Sequence, residues 1–345
     1  MITPDDSDKA VISPHDALHH GTLPAMAGPA TRSARFSESR LKPLRDRDPL
    51  EAVGFVSKGD RLLLDHKEQK KYFECITNRW MEFCARHAGN LIEALASLPT
   101  SASADATKNP PASRLQLPGR KTGQTGPSPA TELSTLLLSL RKLREAVLAT
   151  ASSVPVSFQQ QVHVFSVTVS IRAQHPPSYF PSLRYLLETL HSPSHPLPDS
   201  ELKDIISYLI LDYACRQGDM VSAFELRARA RTQYAFKSDI IDRVLAALMH
   251  DNWIAFWQVR NEVDSPTRAV INWAEDRVRR HALKAVGSAY LNVNVSWIVE
   301  GCTGDGRQWT WKKLVEKEGL GWQLEGDKVI IRKPKPRAAP VKNSE

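Results

Sequence analysis

The sequence predicts a mainly α protein in which a stack of helical hairpins is followed by a small winged helix. Three observations predict it. Across residues 131–290, apolar residues recur at spacings of three and four within helix-length segments. Short turns carrying capping residues separate those segments. After residue 293 the pattern changes to two short helices and a pair of strand-like runs joined at Glu325-Gly326-Asp327.

Taken in order, the helical signal begins at residues 58–98. Asp60 is placed to cap a helix carrying Leu62, Leu63, Tyr72, Phe73, Ile76, Trp80 and Phe83. A second short helix over 90–98 follows Gly89. Residues 131–149 place Leu133, Leu136, Leu137, Leu140, Leu143 and Val147 on one stripe. Residues 162–171 send conflicting signals. Their alternating β-branched residues favour a strand. Their neighbours are helical and a lone strand lacks a partner, so a buried helix is expected.

Further helices are expected over 183–190 and from Asp199 or Ser200 to Gly218, a C-terminal capping glycine. Asp219, Ser238 and Asn252 read as N-caps of the next three. Ser265-Pro266 opens the longest helix, expected to run to about Tyr290. Short connections between such helices imply antiparallel neighbours, a TPR-like layout without a fixed sequence period. Over 293–332 the expected order is a helix at 295–300, a turn at 301–306, a helix at 308–318 and a β-wing made by 322–324 and 328–332.

Three regions read as non-globular from composition: residues 1–48, which end in a basic run, the Pro-rich insertion 99–130, and the basic tail 333–345. The 41% hydrophobic and 24% charged fractions suit a soluble globular protein. The acidic start (Asp5, Asp6, Asp8) argues against a leader peptide, so cytoplasm and/or nucleus is the expected location. No apolar run reaches about 18 residues, so no membrane span is expected. The net charge of +8 tilts the chain toward nucleic acid or acidic partners.

Catalysis is not expected. The phosphate-loop, dinucleotide, nucleophile-elbow and zincin motifs are all missing from the sequence. His191 and His195 are split by Pro193, which breaks the helix that would align them. None of the four cysteines forms a CxxC pair. Neither a cofactor nor a small-molecule substrate is indicated.

The order of elements carries a resemblance. Helical hairpins lead to Asp251-Asn-Trp-Ile-Ala-Phe-Trp257. A long helix with Arg277-Val-Arg279 and Ala282-Leu-Lys-Ala285 follows, and a winged helix closes the series. Over 131–332 this resembles the PCI-domain superfamily of the proteasome lid, the COP9 signalosome and translation initiation factor three. The smaller members, COP9 signalosome subunit eight, the Nin-one-type lid subunit and initiation factor subunit k, are the branch most alike. SAC3-like mRNA-export scaffolds share the Asn-aromatic pair before a double aromatic, here Asn252-Trp253 before Phe256-Trp257. The resemblance implies a scaffold whose partners are other subunits of a multisubunit complex.

Two sets of residues follow as candidates. Val329, Ile330 and Ile331 are expected as an apolar edge of the wing, open to strand addition by a neighbouring subunit. Arg277, Arg279, Arg280 and Lys284 on the long helix, with Lys312 and Lys313 on the second winged-helix helix, are the candidates for RNA or an acidic partner. Arg227, Arg229 and Arg231 make a further basic patch. The aromatic set Trp253, Phe256, Trp257 and Trp273 reads as packing between helices.

Overall fold

The computed structural model describes residues 48–98 and 128–332, which are mainly helical. The basic run before residue 48, most of the 99–130 insertion and the 333–345 tail lie outside the described residues.

The first layer is α1 (Pro49–Ala52), α2 (His66–Arg86), α3 (Leu91–Leu95) and α4 (Pro129–Ala149). Asp65, not Asp60, caps α2; its carboxylate accepts the Lys67 amide. Asp60 instead accepts the amides of Gly54 and Leu62, 2.6 and 2.9 Å away, and fastens the loop ahead of α2. α2 packs on α4 through Phe73, Ile76, Trp80 and Phe83 against the expected leucine stripe. Glu132, buried at the start of α4, is held by Arg79 and Arg86.

α5 (Val156–Arg172) is a helix, as expected against its β-branched composition. It is enclosed on both sides: Val162 and Val169 belong to the first apolar cluster, Val167 and Ile171 to the second. A helix apolar on every face shows no stripe, which is why the periodicity there was ambiguous. Within it, His163 is buried and neither ring nitrogen has a hydrogen-bond partner. Burial, reinforced by the nearby Arg144 guanidinium, pushes its pKa down to about 3.

The second cluster is built on α6 (Pro176–Tyr185), α7 (Asp199–Leu211), α8 (Met220–Tyr234), α9 (Asp239–Met249) and α10 (Trp253–Glu262). α6 and α7 each end in a π-helical turn, Leu186–Leu190 and Asp212–Gln217. The second turn closes on Gly218 at φ +72°, as its expected capping role requires. Buried Asp212 anchors that turn: the Tyr179 hydroxyl, the Arg216 guanidinium and the Gln217 amide all donate to it. The side chains of Asp219, Ser238 and Asn252 cap α8, α9 and α10 as read.

The expected single long helix is two. α11 (Ser265–Ile271) and α12 (Glu275–Ala289) are separated by a 3-10 turn, Asn272–Ala274. Asp264, not Ser265, takes the N-cap position. Consecutive helices pack in pairs (α5 with α6, α7 with α8, α9 with α10), but α11 also reaches back onto α5. A strictly linear stack would confine contacts to neighbours.

After α12 come β1 (Asn292–Asn294), α13 (Val295–Thr303), α14 (Trp311–Glu318), β2 (Gln323–Glu325) and β3 (Lys328–Ile330). The strands form one antiparallel sheet ordered β1-β3-β2. β1 is too short to have been read from sequence. The expected hairpin forms between β2 and β3, with Gly326 at φ +59° in its turn.

His163 makes a prediction about acid stability. Its folded pKa lies below the ordinary 6.5. The unfolded chain therefore binds the extra proton between pH 6.5 and 3, and stability falls as pH falls through that window. Replacing His163 with Phe, which keeps a ring against Tyr185, should remove up to about 1.4 kcal/mol of that loss per pH unit. Urea unfolding at pH 7 and pH 5 reads it: an unchanged pH dependence in the variant would refute the assignment.

Candidate partner-binding surface of the C-terminal module

α12 joins the helical body to the small sheet, and its charged residues divide by face. Val278, Ala282, Leu283 and Val286 point inward. So does Arg279, which is 1% exposed. Its Nε donates to Glu318 at 2.7 Å, its Nη2 to Asp276, and its guanidinium lies 4.5 Å from the centre of the Trp309 ring. The expectation that Arg279 belongs to a solvent-facing basic surface is therefore corrected. A buried guanidinium needs paired carboxylates, and Glu318 at the end of α14 supplies one.

The remaining candidates are exposed. Arg280 lies 3.5 Å from Glu318 and 3.9 Å from Asp276, so part of its charge is offset. Lys313 donates to the Gln308 carbonyl and sits 4.9 Å over the Trp309 ring. Lys317, which lies with Lys312 and Lys313 on α14, pairs with Asp276 at 3.1 Å. Lys284 and Lys312 are exposed, and no ion pair involves either among the described residues. Arg277 donates to the Ala214 carbonyl at 2.9 Å. In the second patch, Arg227 is paired with Asp242 on α9, while Arg229 and Arg231 are exposed.

Apolar packing seats the module. Trp253 contacts both the second cluster and the one formed by Ala282, Val286, Ile298, Leu314 and Val329. Trp257, 5% exposed, lies against Gly304, the left-handed residue (φ +68°) that ends α13. A Cβ on Gly304 would collide with the indole ring. Gly304 thus lets α13 approach α10, and the turn expected at 301–306 begins only there, because residues 301–303 complete α13. The aromatic set is packing, as read: Phe256 is buried and Trp273 half-buried.

The sheet corrects a second expectation. Val329, Ile330 and Ile331 do not form a free edge. β3 is the middle strand, flanked by β1 and β2, and Val329 is fully buried. Its apolar character serves the core. The register identifies the open edges. Ile331 donates to the Leu291 carbonyl and Val295 to the Asp327 carbonyl, so Val329 directs its backbone groups to β1. Lys328 and Ile330 then serve β2, and Leu324 turns its own N–H and C=O away from the sheet. On the other side Asn292 and Asn294 do the same.

Leu324 is 46% exposed. Beside it a groove of about 440 Å³ is lined by Val295, Val299, Trp309 and Trp311 and by the polar Glu300 and Asp327. Sequence reasoning missed Leu324 because strand order is not written in local pattern. Its alternation with Gln323 and Glu325 was the available signal.

No helix among the described residues is long and apolar enough to cross a membrane. No family model matches the chain, and no curated protein sequence matches it.

The division of charges predicts unequal costs of truncation. Arg279→Ala should destabilise folding by about 3 kcal/mol, because it opens a buried guanidinium site and leaves the nearly covered Glu318 carboxylate with only the longer Arg280 contact. Lys284→Ala, on the exposed face, should change it by less than about 0.5 kcal/mol. Denaturant melts of the two variants measure the contrast, and equal costs would contradict it.

Proposed function

We propose that the chain is a non-catalytic assembly subunit that binds other subunits of a multisubunit complex through a PCI-like module. The order α12, β1, α13, α14, β2, β3 with sheet order β1-β3-β2 supports reading the C-terminal module as a winged helix. The paired packing of α5 to α10 supports the helical-hairpin half of that reading. The resemblance to subunits of the proteasome lid, the COP9 signalosome and initiation factor three supplies the kind of complex, in the cytoplasm and/or nucleus.

The observation that carries the proposal is the outer edge of β2. Leu324 presents an unpaired backbone N–H and C=O next to an open groove of mixed lining, with Trp309 and Trp311 beside Glu300 and Asp327. That combination suits strand addition: backbone hydrogen bonds hold the incoming segment, and the groove takes one of its side chains. Docking therefore moves one strand outward from Val329, Ile330 and Ile331.

RNA binding by Arg277, Arg280, Lys284, Lys312 and Lys313 is the second reading. It is the weaker one, because Arg279 is withdrawn into the core and Asp276 and Glu318 sit among the other cations. A salt titration against single-stranded RNA separates the two. RNA binding would give a log K that falls with log salt at roughly 0.7 per phosphate neutralised. The assembly reading expects no specific binding at physiological salt.

The edge itself is tested by Leu324→Pro. Proline is tolerated on an edge strand where its missing N–H would face outward. Folding stability should change by no more than about 1 kcal/mol. Subunits that co-purify with the wild-type chain in a native pull-down should be lost. Retention of all of them by a folded variant would remove β2 as the docking edge.

A further inference from the structure

A second surface lies on the opposite side of α12 from the Arg279 pairs. A cleft of about 270 Å³ opens where α12 meets the start of α8 and the turn between α9 and α10. Met220, Leu248, Trp253 and Val278 give it apolar walls, and Arg277 and His281 add polar ones. The Arg277 guanidinium is drawn over the end of the Asp212–Gln217 turn. One Nη donates to the Ala214 carbonyl, and the other lies 2.8 Å from where a Cβ on Gly218 would be. Glycine there supplies both the left-handed φ of +72° and the room for the guanidinium.

The fixed positive charges at the cleft are Arg277 in its lining and Lys284, one helical turn beyond His281. Arg277, His281 and Lys284 follow at helical spacing along the exposed face of α12. No ion pair involves Arg277 or Lys284 among the described residues. The one acidic side chain lining the cleft is Asp251, 3.6 Å from the His281 ring.

We propose that this cleft and the cationic stripe leading from it hold an acidic segment of a partner protein, seated by an apolar side chain with a carboxylate beside it. Charge complementarity selects an acidic occupant. The aliphatic part of the walls, Met220, Leu248 and Val278, selects a side chain of about leucine size and not a nucleobase. Single-stranded nucleic acid is held by exposed aromatic faces on which bases stack, whereas Trp253 is packed between two cores. The inference rests on reading the chain as a binding module, but uses a different surface from the β2 edge.

The test uses the full chain and a fluorescein-labelled peptide of alternating Asp and Glu with one central Leu. Fluorescence anisotropy compares it with its Asn/Gln counterpart and with a single-stranded uridine oligomer. The acidic peptide should bind at least about tenfold more tightly than the Asn/Gln counterpart. Replacing its Leu with Ser should weaken it. Lys284→Glu should weaken binding severalfold without lowering the melting temperature, and His281→Glu should weaken it too, at some cost in stability because it faces Asp251. Both are preferred to Arg277→Ala, which also breaks the Ala214 bond. Equal binding of the acidic and Asn/Gln peptides, or full binding by both variants, overturns the proposal. Tighter binding of the uridine oligomer, lost in the same variants, overturns it in favour of nucleic acid. Failure here leaves the strand-edge reading standing, because Leu324→Pro is read by subunit loss and not by peptide binding.

Discussion

The C-terminal module is oriented by one buried ion pair. Glu318 is the last residue of α14, where the helix dipole disfavours a negative charge. Arg279 offsets it at 2.7 Å, Asp276 takes a second donor of the same guanidinium, and the Trp309 ring covers the face. The Arg279 charge, 1% exposed, is not tolerable there without a carboxylate partner. α14 must therefore lie against α12 in one register, and the two-strand hairpin that follows is placed with it. The pair also decides which cations of α12 remain for partners. Asp276 and Glu318 engage Arg279 and lie within reach of Arg280 and Lys317, while Arg277 and Lys284 face away.

The apolar half of the same junction depends on a glycine. α13 ends at Gly304, and Trp257 fills the space a side chain would need there. The Asn261 amide donates to the Gly304 carbonyl from the next turn of α10. On the far side Trp322 closes on Gly287 of α12, where a Cβ would lie 3.0 Å from the indole, and Arg332 donates to the Gly287 carbonyl. Two aromatic-on-glycine contacts and one buried ion pair thus fasten a small sheet that has little core of its own.

Much of this fold was legible locally and little of it non-locally. Asp219, Ser238 and Asn252 act within a few residues of themselves, so their capping roles could be read directly. Gly218 was readable for the same reason. The π-helical turns were not, since an extra residue per turn leaves no compositional mark. The burial of Arg279 depends on Glu318 and Trp309, both distant in sequence, and its neighbours Arg277 and Arg280 are exposed. From sequence alone, Arg279 looked like part of one basic face. Val329, Ile330 and Ile331 failed in the opposite sense. Their apolar character was correctly seen, but whether a strand is central or marginal is set by β1, which arrives from the other end of the module.

Strand order also explains where polarity lies in the sheet. The central strand carries Val329, the residue the core needs, and the outer strands carry Asn292, Asn294, Gln323 and Glu325. Short polar outer strands resist indiscriminate pairing. A three-residue edge offers few backbone hydrogen bonds, so those bonds alone cannot select a partner. On the proposed reading, selection at β2 falls to what lies beside the edge: Leu324 and the groove lined by Trp309 and Trp311.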